Sequence, residues 1–312
     1  MNDFTHLPVM PEETLSWLAP AAGETCVDCT LGLGGHSKLI AGKLGPDGHL
    51  IGLDRDPAAL ARARERLADA PCKVTLLRTP FSGVRDALAT IGVDRVDRVL
   101  LDIGVSSMQF DDPGRGFSFR FDSALDMRMD PDAPRTAADI VNTADEAELA
   151  DIFYRYGEER RSRAVAKHLV EARAKAPIRT TGELAAAVAE VLPRHGKIHP
   201  ATQVFQALRI AVNDELGELE RVLPAAFSLL RPGGRLALIT FHSLEDRLAK
   251  NWFRGLADSG LAMLPHRKAI LPQYAETREN RRARSAKLRI IEKTDGSAPA
   301  PKNKYADKKE KP

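Results

Sequence analysis

Residues 28–37 read DCTLGLGGHS and begin inside TCVDCT (25–30), a short run with the composition of a buried strand. Glycines at 32, 34 and 35 allow the backbone to approach a ligand closely, and a helix after them would present free N–H groups. The stretch departs from the dinucleotide fingerprint GxGxxG, because the third glycine comes early and Ser37 stands in its place. The pattern therefore favours a nucleoside over a pyrophosphate, and a tight turn without a ligand is the competing interpretation.

Each of three strand-like runs has an acidic residue at or near its end. Asp28 lies near the end of the first run, Asp54 closes HLIGLD (49–54), and Asp102 lies near the end of RVLLDI (98–103). The carboxyl ends of parallel strands form the edge where an open α/β sheet binds its ligand. Asp54 follows the glycine turn by roughly 20 residues, the spacing at which an acid accepts from ribose hydroxyls. Together the acids favour a ligand site over a bare turn.

The order of the elements predicts a sheet that is interrupted by helices. Strand, helix, strand implies right-handed βαβ units, and KVTLLR (73–78) adds a further strand. From about residue 108 the chain changes to loop and helix, with capping boxes predicted at Thr143 with Glu146 and at Thr180 with Glu183. Strand character returns at RLALITF (235–241), after LLRPGG, whose glycines should close a helix and turn the chain.

We therefore predict an α/β fold, a Rossmann-like sheet with an inserted all-helical domain. The predicted parts are the first part of the sheet domain (1–110), the helical substrate-recognition insert (111–214), the second part with a basic C-terminal segment (215–293), and a disordered tail (294–312). The tail is assigned as disordered because GSAPAPKNKYADKKEKP (296–312) contains too few apolar groups to pack.

Composition limits the cellular setting and the partners. The 312 residues are 43% hydrophobic, yet no apolar run approaches the roughly 18 residues needed to cross a bilayer, and MNDFTHLPVM has no export signal. Three cysteines fit a reducing compartment, so we expect a cytoplasmic protein without membrane contact. The net charge of +3 is small. Basic residues nevertheless concentrate in RENRRARSAKLR (278–289) and RRSRAVAKHLVEARAK (160–175), which are either phosphate-contacting or solvated faces.

Several motifs have a simpler structural interpretation. Cys26 and Cys29 show CxxC spacing, but on a strand they would face opposite sides and act as buried filler. Asp56 followed by Pro57 predicts a helix cap. Phe81 suits either the core or the cover of a flat ring. The histidines are scattered, so no metal site is predicted.

Residues 102–130, DIGVSSMQFDDPGRGFSFRFDSALDMRMD, are too polar for a core and too rich in Phe and Met for a linker. They suit a loop that folds over a ligand. Together with other stretches, this region resembles the bacterial RsmH (MraW) methyltransferases, and the resemblance covers residues 6 to about 293. The motifs are, in chain order, VDCTLGLGGHS, LLDIGVSSMQFDDPGRGFSF, LDMRMD, YGEERRSRAVAKHLVEAR, HPATQVFQALRIAVNDEL, FHSLEDR and RARSAKLR.

Members of that family use S-adenosylmethionine to methylate the exocyclic N4 amine of a cytidine in 16S ribosomal RNA. The resemblance implies this activity and cofactor, a methyltransferase sheet with a helical insert, and a partner that is 16S ribosomal RNA within the small ribosomal subunit. The cofactor contacts that it implies are Gly34, Gly35, His36, Asp54, Phe81, Asp102 and Gln109. The chain departs from the family at Pro80, where Asn is usual, at Pro11 in the opening motif, and at Gln203, where a basic residue is usual.

A cytosine amine is a poor nucleophile, because its lone pair is shared with the ring. Alignment can contribute about 7–11 kcal/mol and one placed polar group about 3–4 kcal/mol, so we expect no indispensable general base. The side chains that we consider as contributors are Asp102, Ser106, His242 and Asp246. Asp246 could instead pair with Arg247 or cap a helix, and Glu215 suits a helix surface as well as a pocket.

Two other functions remain open on the sequence. An NAD-dependent oxidoreductase could use the same sheet, but the broken fingerprint disfavours it. A non-catalytic RNA-binding assembly factor could keep the fold, although the intact glycine turn and the three acids disfavour it. A homodimer is compatible with the sequence, which contains nothing that requires one.

Overall fold

A computed structural model describes residues 8–104, 112–193 and 199–296. The described residues form two compact units, one comprising 8–104 and 219–296 and the other 112–193 and 199–218. The predicted domain limits at 110/111, 214/215 and 293/294 stay predictions. The tail beyond 296, and the predicted site residues Ser106 and Gln109, lie outside the described residues.

Strands and helices are numbered here in chain order. The strands are β1 Thr25–Asp28, β2 His49–Asp54, β3 Lys73–Arg78, β4 Val96–Asp102, β5 Leu230–Thr240, β6 Ala262–Met263 and β7 Lys287–Lys293. The helices are α1 Pro11–Leu18, α2 Gly35–Leu44, α3 Pro57–Arg66, α4 Val84–Thr90, α5 Ala137–Thr143, α6 Glu146–Gly157, α7 Ser162–Lys175, α8 Thr181–Val191, α9 Thr202–Asn213, α10 Glu215–Leu229, α11 Ser243–Asp258 and α12 Tyr274–Glu279. Short 3₁₀ helices cover Phe81–Gly83, Pro113–Arg115 and Arg281–Ser285.

The first unit contains one seven-stranded sheet in the order β3-β2-β1-β4-β5-β7-β6. Strands β1 to β5 pair in parallel, and β7 runs antiparallel to both β5 and β6. The register pairs Asp28 with Gly52 and Asp102 with Ile239, so the carboxyl ends of the parallel strands meet at one edge. The predicted α/β class with a Rossmann-like sheet is therefore confirmed.

Apolar side chains cover both faces of this sheet. Val27 and Ile51 belong to one buried cluster, and Cys26 and Leu50 belong to another, as the alternation of a strand requires. Cys29 packs with Val27, so the two cysteines do lie in different clusters, and both are buried. Burial raises the pKa of both thiols, which makes a reactive thiolate unfavourable.

The prediction that LLRPGG turns the chain before a strand at 235–241 is wrong about where that strand begins. Strand β5 begins at Leu230, five residues before the predicted start, because Leu230 already pairs with Val96. The next pairs join Arg98 to Arg235, so the extra residues of β5 form an irregularity in the pairing. Gly233 has a φ of 78° and permits this local bend.

The second unit is helical and has its own core. Helices α5 to α9 bury apolar side chains against one another, including Phe153, Leu169 and Leu208. The capping box of Thr180 with Glu183 at the start of α8 is confirmed. The box predicted at Thr143 with Glu146 is wrong, because Thr143 is the last residue of α5.

Two other residues cap these helices. Asp145 caps α6 by accepting a hydrogen bond from the Glu148 N–H, at a distance of 2.7 Å. Helix α5 begins with a capping box of Thr136 and Asp139. Among the helices of residues 8–104, 112–193 and 199–296, none is both long and apolar enough to cross a membrane.

Candidate active site

The glycine turn connects β1 to α2 at the carboxyl edge of the sheet. Gly32 and Gly34 have φ values of 50° and 73°, in the left-handed region that side chains with a Cβ rarely occupy. The Leu31 N–H donates to the Leu53 carbonyl at 2.9 Å, and the Gly34 N–H donates to the Leu31 carbonyl at 2.8 Å. These bonds fix the turn against β2 and place the first turn of α2 at the site.

Close packing behind the turn also restricts its glycines. A Cβ on Gly34 would lie 3.5 Å from the Cβ of Ala63, and one on Gly35 would lie 3.3 Å from the ring of Pro8. The turn is thus enclosed from behind by α3 and by the residues that precede α1. Its remaining side forms a small backbone cradle.

Asp28 is buried and holds this turn together. Its Oδ2 accepts from the Ser37 hydroxyl at 2.7 Å, and its Oδ1 accepts from the Thr30 N–H at 3.1 Å. Burial raises the pKa of Asp28 to about 6, against the opposing effect of these hydrogen bonds. Both carboxylate oxygens are engaged, so Asp28 has a structural role under the turn.

Asp54 links two backbone segments at the end of β2. One carboxylate oxygen accepts from the Gly32 N–H at 2.8 Å, and the other accepts from the Asp56 N–H at 2.9 Å. Burial raises its pKa from the ordinary value. A carboxylate offers about four lone-pair positions, so two remain to accept hydroxyl groups of a ligand. The prediction that Asp56 caps α3 is confirmed, since it accepts from the Ala58 N–H at 2.9 Å.

Asp102 faces His36 across the edge of the sheet. Its Oδ2 lies 3.6 Å from His36 Nε2, and its backbone N–H donates to the Thr30 hydroxyl at 2.6 Å. Its Oδ1 is buried and has no hydrogen-bond partner among the described residues. Burial raises the pKa of Asp102 to about 8, and the charges of Asp28 and Glu245 add to the effect. The structure thus brings the predicted residues His36 and Asp102 together at the end of the glycine turn.

The residues that precede and begin α11 lie at the end of β5. His242 is the N-cap and accepts from the Glu245 N–H, while Glu245 accepts from the Phe241 N–H at 2.8 Å. Glu245 is buried and adds negative charge near Asp102. Glu245 is not among the site residues predicted from the sequence, although its position three residues after the N-cap is the capping-box spacing that could have revealed it.

Asp246 is held by two cations of β7. Its carboxylate accepts from Lys287 Nζ at 3.1 Å and from Arg289 Nε at 2.7 Å. Although burial raises the pKa of Asp246, the hydrogen bonds from Arg289 and Lys287 outweigh it and lower the pKa. The Asp246 carboxylate therefore joins α11 to β7, which the sequence alternatives of an Arg247 pair or a helix cap did not include.

Phe81 lies in the 3₁₀ helix that follows β3. Its ring packs against the core, and the Arg55 guanidinium lies over it at 5.6 Å from the ring centroid. Pro80 precedes it in an extended conformation. Arg55 directly follows Asp54, so Phe81 and Asp54 flank the same loop at the edge of the sheet.

Glu215 belongs to the helical unit, and the helix surface, one of its two sequence alternatives, is not where its side chain lies. The side chain is buried, and both of its carboxylate oxygens bind the Arg209 guanidinium, at 2.7 and 2.8 Å. This bidentate pair joins the start of α10 to α9.

Comparison with known proteins identifies the family. The family model described as the MraW methylase family matches residues 3–294. The protein named ribosomal RNA small subunit methyltransferase H from Geobacter sulfurreducens is 50% identical over 309 residues, which cover 93% of this chain and 99% of that protein. The protein of the same name from Methylobacterium is 50% identical over 96% of this chain and 94% of its own length. The predicted resemblance is confirmed, and the chain belongs to the MraW methylase family.

Proposed function

We propose that this protein transfers the methyl group of S-adenosylmethionine to the N4 amine of a cytidine in 16S ribosomal RNA. The observation that carries the proposal is the placement of Asp28, Asp54 and Asp102 on three neighbouring parallel strands, beside one glycine turn. Membership of the MraW methylase family and two relatives that are 50% identical support it.

The residues present fit the proposed cofactor. Asp54 keeps acceptor positions for ribose hydroxyls, and the glycine turn leaves room for close approach of a nucleoside. The unpartnered, buried Oδ1 of Asp102 suits a positively charged or hydrogen-bonding ligand group. When bound, S-adenosylmethionine would supply an electrophilic methyl group on a positively charged sulfur. The proposed contacts are Gly34, Gly35, His36, Asp54, Phe81, Asp102 and Gln109.

Orientation of the amine is the main task that we assign to the protein. Asp102 Oδ1 can accept a hydrogen bond from the amine of the target base and so direct the nitrogen lone pair toward the methyl group. His242 and Asp246 already have structural bonds at the start of α11, which leaves Asp102 as the strongest of the proposed contributors. Ser106 stays a proposed contributor.

The proposed substrate is 16S ribosomal RNA within the small ribosomal subunit, in the cytoplasm. A cytidine inside a helix cannot reach a site at the edge of a sheet, so the target base is flipped or single-stranded. A homodimer is compatible with the chain, and the proposed function does not require one.

A labelling experiment tests the function. The protein is incubated with methyl-labelled S-adenosylmethionine and small ribosomal subunits that lack the modification, and the RNA is digested to nucleosides. Label in N4-methylcytidine is the expected result. Label on a ring carbon would refute the assigned chemistry, and absence of label with intact cofactor binding would favour an assembly factor. Binding of NAD in preference to S-adenosylmethionine would favour an oxidoreductase.

A further inference from the structure

Two apolar side chains stand out on the surface of the 265–289 segment, the connection that runs from β6 through α12 into β7. Tyr274 is 79% exposed and Leu271 is 63% exposed. An exposed aromatic ring offers a flat apolar face on which a partner can stack. Tyr274 is the first residue of α12, a helix of six residues.

Exposed cations are frequent in the same segment. Arg267, Lys268, Arg278, Arg281 and Arg284 are all exposed, whereas Glu279 is the one exposed acid of the segment. Tyr274 and Arg278 are four residues apart on α12 and therefore share a helix face. Arg281 and Arg284 are three residues apart in a 3₁₀ helix, a spacing that places side chains on one side.

The remaining charges of the segment are committed to the fold. Lys287 and Arg289 bind the Asp246 carboxylate, and Glu276 accepts from the Met10 N–H at 2.7 Å. Arg284 donates through Nε to the Thr277 carbonyl at 3.1 Å, which fixes the guanidinium at the surface while its other N–H groups can bind a partner.

The segment is fixed at the same edge of the sheet as the candidate active site. Ile270 and Leu288 exchange two backbone hydrogen bonds, of 2.8 and 2.9 Å, and Lys287 pairs with Thr240 at the end of β5. The bond from Met10 to Glu276 joins α12 to the residues before α1, and Pro8 of those residues packs against Gly35. Residues 8–10 therefore connect α12 to the glycine turn.

We infer that the 265–289 segment is a contact surface for single-stranded RNA, with Tyr274 stacking on a base and Arg278, Arg281 and Arg284 binding phosphates. An aromatic ring among exposed cations is the combination that binds single strands, because every base has a π face and every nucleotide a charge. The excess of cations favours RNA over an apolar protein partner. The inference rests on the proposed function, since it supplies the path by which RNA reaches the site.

Binding of a short fluorescein-labelled single-stranded RNA, measured by anisotropy at several salt concentrations, tests the surface. Tyr274→Ala should weaken binding on the order of 10-fold with an unchanged salt slope, and Tyr274→Phe should restore it. Arg281→Gln should reduce the magnitude of the salt slope by about 0.7, the value for one phosphate contact on a single strand. Affinity for S-adenosylhomocysteine should stay at the wild-type value in all three variants.

Matched controls come from exposed residues elsewhere. Leu261→Ala removes an apolar side chain that is 50% exposed before β6, and Arg64→Gln removes an exposed arginine of α3. Both controls should bind the RNA as the wild type does. Wild-type binding by Tyr274→Ala and Arg281→Gln, or an equal loss in the two controls, would overturn the inference.

The same variants separate this inference from the proposed function. Methyl transfer to small ribosomal subunits by the wild type supports the proposed function, whatever the RNA-binding result. If the wild type transfers label and Tyr274→Ala transfers it with the same KM, the surface is refuted and the function stands. A raised KM with a nearly unchanged kcat supports the surface.

Discussion

The Asp102 carboxyl has an unusual setting, because Asp28 and Glu245 place like charges near a buried group. Its pKa of about 8 means that the folded protein retains a proton that the unfolded chain releases at a much lower pH. The stability associated with this proton is fully present at acidic pH and is lost as the pH rises through about 8. Ionisation of Asp102 at high pH therefore destabilises the folded state relative to the unfolded chain.

Replacing Asp102 by Asn should remove that destabilisation. We expect Asp102→Asn to be more stable than the wild type above pH 8, by about 1–3 kcal/mol, and the difference should shrink toward pH 4. The full pKa shift would correspond to a larger free-energy difference, but 23% of the Asp102 side chain is exposed, and solvent screening reduces the effect. Urea unfolding across this pH range measures the effect. A stability difference that does not vary with pH would contradict the assigned protonation.

The same substitution should separate catalysis from stability. The positive charge of bound S-adenosylmethionine would favour the ionised form of Asp102, and Asn cannot provide that charge toward the amine, so turnover of Asp102→Asn should fall by about 10²- to 10³-fold, while the fold is retained. Single-turnover methyl transfer at saturating cofactor provides the measurement. Wild-type turnover in a folded, cofactor-saturated variant would exclude Asp102 as an acceptor for the amine.

Asp54 provides a second residue-scale test. Asp54→Ala removes the acceptor of the Gly32 and Asp56 N–H groups and the proposed acceptor of the ribose hydroxyls. We expect affinity for S-adenosylhomocysteine to fall by at least about 10-fold, since an unsatisfied buried donor costs about 1–3 kcal/mol. Calorimetric titration measures the affinity. Asp69→Ala is the control, because Asp69 is 76% exposed and its Oδ1 lies 3.3 Å from Nζ of the exposed Lys38.

At the scale of elements, helix α5 shows how caps can be distinguished from other hydroxyl contacts. Thr136→Ala removes the N-cap bond to the Asp139 N–H and should destabilise the protein by about 1 kcal/mol. Thr143→Ala, at the other end of the same helix, removes a bond to the Asp139 carbonyl and a long one, of 3.5 Å, from Arg135 Nη2, and should cost less than about 0.5 kcal/mol. Thermal unfolding compares the two variants. Equal losses would contradict the assigned cap.

The connection between α11 and β7 gives a further element-scale prediction. Asp246→Asn weakens the bonds to Lys287 and Arg289, and we expect a loss of about 1–3 kcal/mol at pH 7. The pKa of Asp246 is lowered in the folded protein, so its contribution is present above the unfolded pKa and disappears as the pH falls through the folded value. The variant and the wild type should therefore converge in strong acid. A loss that persists unchanged there would point to packing instead.

Over the whole molecule, the sequence predicted the parts that follow simple periodicity. HLIGLD and KVTLLR became β2 and β3 with the predicted bounds, because their apolar runs suit a parallel sheet, although β3 lies at the edge of the sheet and is only partly buried. Strand β7 was overlooked, because KLRIIEK follows a highly basic stretch, and its charges suggested an RNA contact. The irregular start of β5 depends on its pairing with β4, which local sequence does not reveal.

The candidate site was predictable to a similar extent. Asp54 and Asp102 could be placed, because strand ends define the edge of the sheet. The structural role of Asp28 and the hydrogen bonds of Asp246 could not be predicted from the sequence. Their partners, Ser37 for Asp28 and Lys287 and Arg289 for Asp246, are brought close only by the tertiary structure. The sequence left Glu215 open between a helix surface and a pocket for the same reason, because only packing reveals that it is buried with Arg209.

We propose that the carboxyl edge of the sheet binds the nucleoside of S-adenosylmethionine, and a crystal structure of the protein with S-adenosylhomocysteine is the decisive measurement. We expect ribose hydroxyls within hydrogen-bond distance of the Asp54 carboxylate, and the backbone of the Gly34–Gly35 turn in contact with the ligand. A ligand bound at any other part of the protein would refute this assignment.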